Sequence, residues 1–225
     1  MKYFILLLIF SIYSFQDKVD LSKMCIIYFS RTGNTELFAN YIKEKIDITS
    51  YKITPATAYP EDYNEMLELA RTEQSTNARP EIKDPLTDIS NYDIILLGYP
   101  IWYGHIPNII ITQLELLDLK GKTIYPFNTH GGSGRGSSIN DIKQYAKEAD
   151  VKEGFPLTGT NVRNNKENAM SQISSWIETN FVDEEEKVEE KEKEKEEEEE
   201  SVPYLSSWEY LKIKYFLIAV LLIMF

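Results

Sequence analysis

Between about residue 24 and residue 181, the chain alternates short apolar segments with segments of helical period. "MCIIYFS", "YDIILLGYP" and "KTIYPFNTH" are runs of strand-forming residues. The second run is apolar almost throughout, which is typical of a central strand covered on both faces. "ELFANYIKEKI" and "EDYNEMLELARTE" carry apolar residues at helical spacing instead. Because strands that alternate with helices form parallel βαβ units, the pattern predicts an α/β fold.

The remaining segments complete this pattern. "DITSYKI" and "GFPLTGT" are shorter strand candidates, and "NIIITQLELLD", "SSINDIKQYAKEA" and "ENAMSQISSWIETNF" are helix candidates. We therefore expect one folded domain over residues 22–182. Its architecture would be a doubly wound sheet of about five parallel strands with helices on both faces.

Three segments outside this domain differ from it in composition. Residues 1–15 contain one Lys followed by an apolar stretch too short to span a bilayer, which is typical of a signal peptide or an N-terminal hydrophobic segment. Residues 183–203 are a Glu/Lys-rich acidic linker with almost no apolar residues. Residues 204–225 end in "YFLIAVLLIMF", which indicates a hydrophobic membrane anchor or a removable anchor signal.

These end segments predict a membrane-associated protein of the secretory pathway, with the C-terminal tail as its contact with the membrane. A tail anchor that faces the cytosol is the alternative, because Lys212 and Lys214 precede the apolar tail and favour a cytosolic flank.

Charge and cysteine content exclude several classes of function. The formal net charge is -12, but residues 183–200 alone hold 13 acidic residues and 4 lysines. The folded domain is thus only weakly acidic, and no basic face interleaved with aromatics predicts a nucleic-acid partner. The single cysteine, Cys25, lies in an apolar strand and cannot form an intrachain disulfide or a redox pair. His105 and His130 have no carboxylate or cysteine at ligand spacing, so we predict no metal site.

The loop "SRTGNT", residues 30–35, follows the first predicted strand and opens the first helix. It lacks the Lys of a Walker motif and the spacing of a dinucleotide fingerprint. Ser30, Thr32, Asn34 and Thr35 surround Gly33 at the helix N-terminus, an arrangement suited to a compact anion such as a terminal phosphate. An ordinary helix cap is the alternative interpretation, although one Ser or Thr would suffice for that.

Two further loops follow the third and fourth strands, "GYPIWYGHIPN" and "NTHGGSGRGSS". Trp102 and Tyr103 offer an aromatic face for stacking. Gly131, Gly132 and Gly134 allow backbone amides to approach a ligand without obstruction by side chains. Since the carboxyl ends of parallel strands share one edge of the sheet, these loops together suit a flat heterocycle.

With these loops in this order, the sequence resembles the flavodoxin family, whose phosphate loop reads T/S-x-T-G-x-T. It is most similar to the group that carries "YPIWWG" and "GGSG", and the likeness covers about Met24 to Phe181. The resemblance implies FMN as cofactor. It places the monophosphate against Ser30, Arg31, Thr32, Gly33, Asn34 and Thr35; the isoalloxazine against Tyr99, Pro100, Ile101, Trp102, Tyr103 and Gly104; and the polar edge of the ring against Thr129, His130, Gly131, Gly132, Ser133 and Gly134.

Three functions follow from this interpretation. The first is a membrane-tethered electron carrier that exchanges electrons with donor and acceptor proteins or a small-molecule acceptor, with no catalytic side chain. The second is an NAD(P)H-dependent FMN oxidoreductase acting on a quinone or similar acceptor, in which His105, His130 or Tyr103 could donate a proton. The third is a membrane-tethered binding module that has kept the fold without the flavin. The short loops favour the carrier, and the sequence does not decide whether the protein is an enzyme.

Overall fold

The computed structural model describes residues 19–181. The predicted signal segment, the acidic linker and the C-terminal hydrophobic segment lie outside the described residues. Within residues 19–181, no helix combines the length and the apolar character needed to cross a membrane.

A parallel sheet forms the centre of the domain. Its strands are β1 (Met24–Tyr28), β2 (Thr49–Lys52), β3 (Ile94–Pro100), β4 (Thr123–His130), β5 (Asp150–Val151) and β6 (Phe155–Thr158). The order is β2-β1-β3-β4-β5, with β6 also paired to β4, and every pairing is parallel. The predicted doubly wound parallel sheet is thus confirmed. Its fifth position is divided, since β5 pairs with the start of β4 and β6 with the end of β4.

Six α-helices within residues 19–181 connect and cover the strands. They are α1 (Asn34–Lys45), α2 (Tyr63–Thr76), α3 (Asn108–Glu115), α4 (Ser138–Tyr145), α5 (Gly159–Asn164) and α6 (Lys166–Phe181). The sequence pattern predicts all of them except α5, which has Val162 as its only buried large apolar residue. One buried apolar residue is too little to produce a helical period.

Both faces of the sheet are packed. On one face Cys25, Ile27 and Phe29 join an apolar cluster with residues of α3 and α4. On the other face Phe38 of α1 meets Phe127 of β4 edge to face, with ring centroids 4.9 Å apart. Burial raises the pKa of the Cys25 thiol to about 12, so this cysteine is a protonated core residue and not a reactive thiol.

Candidate functional site

A cleft of about 380 Å³ lies at the carboxyl ends of the strands. It is next to the point where the strand order reverses between β1 and β3, the usual ligand position in a doubly wound sheet. Its walls come from the segments that follow β1, β3, β4 and β6, together with the start of α2. The lining residues are Ser30, Arg31, Thr32, Asn34, Thr35, Tyr63, Pro100, Ile101, Trp102, Thr129, His130, Gly131, Gly159, Thr160, Arg163 and Asn164.

The loop after β1 turns sharply into α1. Gly33, the N-cap residue of α1, has a φ of 85°, and a Cβ there would meet no atom within 4 Å. The backbone conformation, and not lack of space, therefore favours glycine at this position. The next two side chains are engaged within the protein. Thr35 Oγ1 lies 2.8 Å from Thr129 Oγ1, and Asn34 Oδ1 accepts hydrogen bonds from Arg163.

Ser30 presents an unsatisfied polar group in the same loop. Its Oγ is shielded from solvent and has no hydrogen-bond partner among residues 19–181. Buried hydroxyls nearly always have a partner, because leaving one unpaired costs about 1–3 kcal/mol. A hydroxyl donor without an acceptor among these residues, in the loop that leads into α1, suits an anion-binding loop.

Arg31 fixes this loop to the segment that precedes α2. Its Nε donates to Pro60 O at 3.0 Å and its Nη2 donates to Glu61 O at 2.8 Å. These bonds hold the two segments together on one side of the cleft. Much of the donor capacity of Arg31 is therefore used within the protein.

Trp102 provides an aromatic wall of the cleft. Its ring packs edge to face on Phe29, with centroids 5.6 Å apart, and on Tyr59 at 5.1 Å. Its carbonyl accepts a hydrogen bond from Gln74 Nε2 at 2.9 Å. These contacts fix the position of the Trp102 indole, so this wall of the cleft is ordered before a ligand binds.

Tyr103 does not line the cleft and is 44% exposed. Trp102 and His105 exchange two backbone hydrogen bonds of 3.0 and 2.9 Å around Tyr103 and Gly104. Both central residues have positive φ, 48° and 82°, as in a type I′ turn. The turn directs Tyr103 away from Trp102 and under the guanidinium of Arg71, whose Cζ lies 5.5 Å from the ring centroid.

The loop after β4 is held by short-range hydrogen bonds. His130 Nδ1 accepts from the backbone N–H of Gly132 at 3.0 Å. Burial lowers the pKa of His130, which favours the neutral imidazole that this bond requires. Asn128 Nδ2 donates to Gly134 O at 3.2 Å, while its buried Oδ1 has no partner among the described residues.

The predicted site residues thus separate into two groups. Ser30, Arg31, Thr32, Asn34, Thr35, Pro100, Ile101, Trp102, Thr129, His130 and Gly131 line one cleft. The residues that do not line the cleft are Gly33, Tyr99, Tyr103, Gly104, Gly132, Ser133 and Gly134. Of these, Tyr99 is buried in the core, where its hydroxyl donates to Ser138 Oγ at 3.1 Å.

Sequence reasoning missed the contribution of α2 and α5. The cleft is also lined by residues of these two helices, namely Tyr63, Gly159, Thr160, Arg163 and Asn164. No motif marks them, although "TGTNVRNN" after the last strand has the polar, cap-forming composition of a loop that ends a strand. The lining includes two arginines and no Asp or Glu, so the charge at this edge of the sheet suits an anion.

Comparisons with known proteins agree with this architecture. The flavodoxin family model matches residues 23–180. Two Bacteroides proteins that are provisionally named flavoproteins have similar structures, each with a TM-score of 0.60. The Bacteroides eggerthii protein is 34% identical over 70% of this chain and 97% of its own, and the Bacteroides uniformis protein is 30% identical over 68% and 98%.

A flavoprotein from Lactobacillus acidophilus, solved in complex with FMN, shares the fold. It is 24% identical, with a TM-score of 0.53, over 62% of this chain and 95% of its own. No curated protein matches the chain. The match of the family model over residues 23–180 extends across nearly all of the described domain. The chain belongs to the flavodoxin family.

Proposed function

We propose that this protein binds FMN and transfers electrons, as a carrier of flavodoxin type. The observation that carries the proposal is the buried Ser30 Oγ, which has no hydrogen-bond partner in the described part of the chain. It lies in the loop that opens α1, in the same cleft as the apolar wall formed by Ile101 and Trp102. An anion-binding end and an aromatic wall in one cleft match a ligand that joins a phosphate to a flat ring.

The phosphate end would be held by the loop that follows β1. Ser30 and Thr32 supply hydroxyl donors, and the first turn of α1 supplies backbone N–H groups that lack a partner within the helix. The positive end of the helix dipole adds to the attraction for an anion. These groups are held before any ligand binds, because Thr35 is fixed to Thr129 and Arg31 to Pro60 and Glu61.

The ring end would lie along the loops after β3 and β4. Pro100, Ile101 and Trp102 line this part of the cleft as an apolar surface, and the loop after β4 adds Gly131, which has no side chain to obstruct a ring. Bound FMN would supply the redox chemistry, accepting and donating electrons one or two at a time. The residues of the chain would bind the ring, exclude water from one side of it and set the local charge.

The carrier is favoured over an enzyme by the set of titratable groups around the cleft. Its lining contains Arg31, Tyr63, His130 and Arg163 and no carboxylate. An FMN oxidoreductase acting on a small acceptor is the second candidate. His130 supports it, because its Nδ1 accepts a hydrogen bond, so the neutral ring carries its proton on Nε2 and could donate a hydrogen bond to a bound acceptor.

We extend the proposal to the predicted redox partners and to a membrane tether. The tether is supported by the composition of residues 204–225, and a donor and an acceptor follow from the chemistry of a carrier. Fractionation of the full chain with and without residues 204–225 would test the tether. Recovery of both forms in the soluble fraction would contradict it.

The visible absorption spectrum of the purified full chain tests the flavin. We expect yellow protein after addition of FMN, and stepwise dithionite reduction that separates into two one-electron steps. Reduction in a single two-electron step, with bleaching by NADH or NADPH alone, would favour the oxidoreductase. Failure to retain FMN supplied in excess would contradict both functions and leave the binding module without flavin.

A further inference from the structure

Helix α5 places a cation in the cleft, beside the loop that opens α1. Arg163 belongs to the last turn of α5 and lines the cleft together with Ser30, Thr32 and Asn34. These residues are far apart in sequence, since Arg163 and Asn34 are separated by 129 positions. The fold brings them together because β6 ends at the same edge of the sheet as β1 and β4.

The guanidinium of Arg163 is held on the loop by a two-pronged contact. Its Nε and Nη2 donate to Asn34 Oδ1 at 3.1 and 2.8 Å. A guanidinium has five N–H donors in a rigid fork, so this contact leaves several donors for a ligand. No ion pair formed within residues 19–181 involves Arg163.

Helix α5 is itself firmly placed. Val162 is buried, and its carbonyl accepts a hydrogen bond from Tyr41 OH of α1 at 3.3 Å. Gly159 lies so close to Asn34 that a Cβ would be 2.6 Å from Asn34 Nδ2. The position of Arg163 is therefore set by packing against α1 and the loop before it, and not by its own side chain alone.

The other arginine of the cleft has a different role. Arg31 donates to two backbone carbonyls, those of Pro60 and Glu61, and so joins two loops. Among the described residues, Arg163 donates only to one amide oxygen, that of Asn34, and so keeps more of its N–H donors for a ligand. No carboxylate of the cleft lining neutralises either arginine. A phosphate monoester carries nearly two negative charges at neutral pH, and an arginine fork matches its geometry.

We propose that Arg163 is the counter-ion of the bound phosphate and makes this site discriminate a phosphorylated flavin from one without phosphate. The inference rests on the proposed function and adds to it a residue outside the phosphate loop. It also gives α5 a role, since the helix supplies a second cation to the cleft, whereas Arg31 of the loop is bound to the carbonyls of Pro60 and Glu61. Riboflavin has the same ring and no phosphate, so comparing both flavins in the parent and in an Arg163 variant isolates the contact between Arg163 and the phosphate.

The experiment compares FMN and riboflavin binding to the full chain by quenching of flavin fluorescence, at low and high salt. The variants are Arg163→Gln, Arg163→Lys and, as a charge control, Lys166→Gln. Lys166 is exposed, pairs with Glu44 at 2.9 Å and does not line the cleft. A parallel arm measures the thermal midpoint of the flavin-free protein with and without inorganic phosphate, which shows whether the free anion uses the same site.

We expect Arg163→Gln to weaken FMN binding by about 10- to 100-fold, the loss of one or two charge-assisted hydrogen bonds. Riboflavin binding should stay within about twofold, and Lys166→Gln should change either flavin by no more than that, because exposed ion pairs are worth little. Arg163→Lys should be intermediate, since it keeps the charge and loses the fork. The salt dependence of FMN binding should be weaker in Arg163→Gln than in the parent.

Equal weakening of FMN and riboflavin in Arg163→Gln would overturn the proposal, because it would mean that Arg163 only supports the fold of the cleft. Unchanged FMN binding would overturn it as well. If the parent binds neither flavin, the proposed function fails, and the phosphate arm still decides the role of Arg163. Stabilisation of the parent by phosphate that is lost in Arg163→Gln would support an anion site, and its persistence would refute one.

Discussion

Replacement of Ser30 by alanine is expected to have opposite effects on stability and on binding. In the protein without ligand, Ser30 Oγ is buried and has no hydrogen-bond partner within residues 19–181. Removing it deletes a desolvated polar atom and breaks no hydrogen bond with that part of the chain. With FMN bound, the same hydroxyl is a donor to the phosphate under the proposed function. Ser30→Ala should therefore stabilise the flavin-free protein and weaken FMN binding.

The magnitudes follow from these two environments. An unpaired buried hydroxyl costs about 1–3 kcal/mol, and one oxygen atom contributes little packing, so we expect the flavin-free variant to gain about 1 kcal/mol. For a domain of this size that raises the thermal midpoint by about 2–4 °C. Loss of a hydrogen bond to a charged acceptor costs about 1.5–3 kcal/mol, which corresponds to roughly a 10- to 100-fold weaker Kd for FMN.

Ser138→Ala is the matched variant, with the opposite expectation for stability. Ser138 is completely buried like Ser30 Oγ, but it accepts a hydrogen bond from Tyr99 OH at 3.1 Å. Its removal leaves the buried Tyr99 hydroxyl unpaired and should destabilise the protein by about 1–3 kcal/mol. Ser138 does not line the cleft, so FMN binding should be little changed.

Thermal unfolding of the flavin-free forms and fluorescence titration with FMN test both variants. A lower thermal midpoint for Ser30→Ala would show that its hydroxyl has a partner in the flavin-free protein, and the stability argument would be wrong. An unchanged Kd for FMN would remove Ser30 from the phosphate site. Either result is independent of the other, because the two measurements are made on different states.

Other substitutions test the packing and the titration of buried groups. Gly98→Ala would place a Cβ 2.3 Å from Cζ of the buried Phe127. We therefore expect the free energy of unfolding, measured in urea, to fall by about 1–3 kcal/mol. An unchanged urea midpoint would contradict this packing. Burial lowers the pKa of His130, so the unfolded chain takes up a proton at higher pH than the folded protein does. The free energy of unfolding should therefore fall as the pH drops below 6.5. An NMR titration midpoint for His130 at or above that value would refute the lowered pKa. Glu73 is 7% exposed beside Tyr59, and burial raises its pKa, so the folded protein binds this proton more tightly than the unfolded chain. Glu73→Gln should therefore be more stable than the parent at pH 7. The difference in unfolding free energy should decrease as the pH is lowered toward the ordinary pKa of glutamate, and equal differences at pH 7 and pH 5 would contradict this expectation.

The sheet and most helices could be predicted because their signals are local. An apolar run such as that of β3 identifies a strand covered on both faces, and the apolar face of α1 identifies its helix. The division of the fifth strand into β5 and β6 could not be foreseen in this way. It depends on how residues 152–154 leave the edge of β4, and no hydrophobic periodicity in the sequence indicates that break.

The aromatic wall of the cleft also depends on tertiary structure that local sequence does not predict, here at the level of single residues. "WY" offers two adjacent rings, and the sequence cannot say which one enters the cleft. The answer depends on the type I′ turn, in which positive φ at Tyr103 and Gly104 reverses the chain. It also depends on distant contacts, since Gln74 holds the carbonyl of Trp102 and Ser137 N–H donates to Gly104 O at 2.6 Å.

The loop of residues 30–35 holds more polar side chains than a helix cap needs, and the structure explains part of that excess differently from the sequence. Thr35 is bonded to Thr129, and Asn34 accepts from Arg163, so these two side chains fix the loop to β4 and to α5. A loop that is already ordered loses less conformational freedom when its ligand binds, which improves affinity without any new contact. Under the proposed function, the polar residues of the loop divide between holding the site and binding its ligand. We assign Ser30 to the second group because its hydroxyl has no partner within the described chain. That division depends on contacts between residues about 100 positions apart, and this is why the residues could be predicted as a set while their separate roles could not.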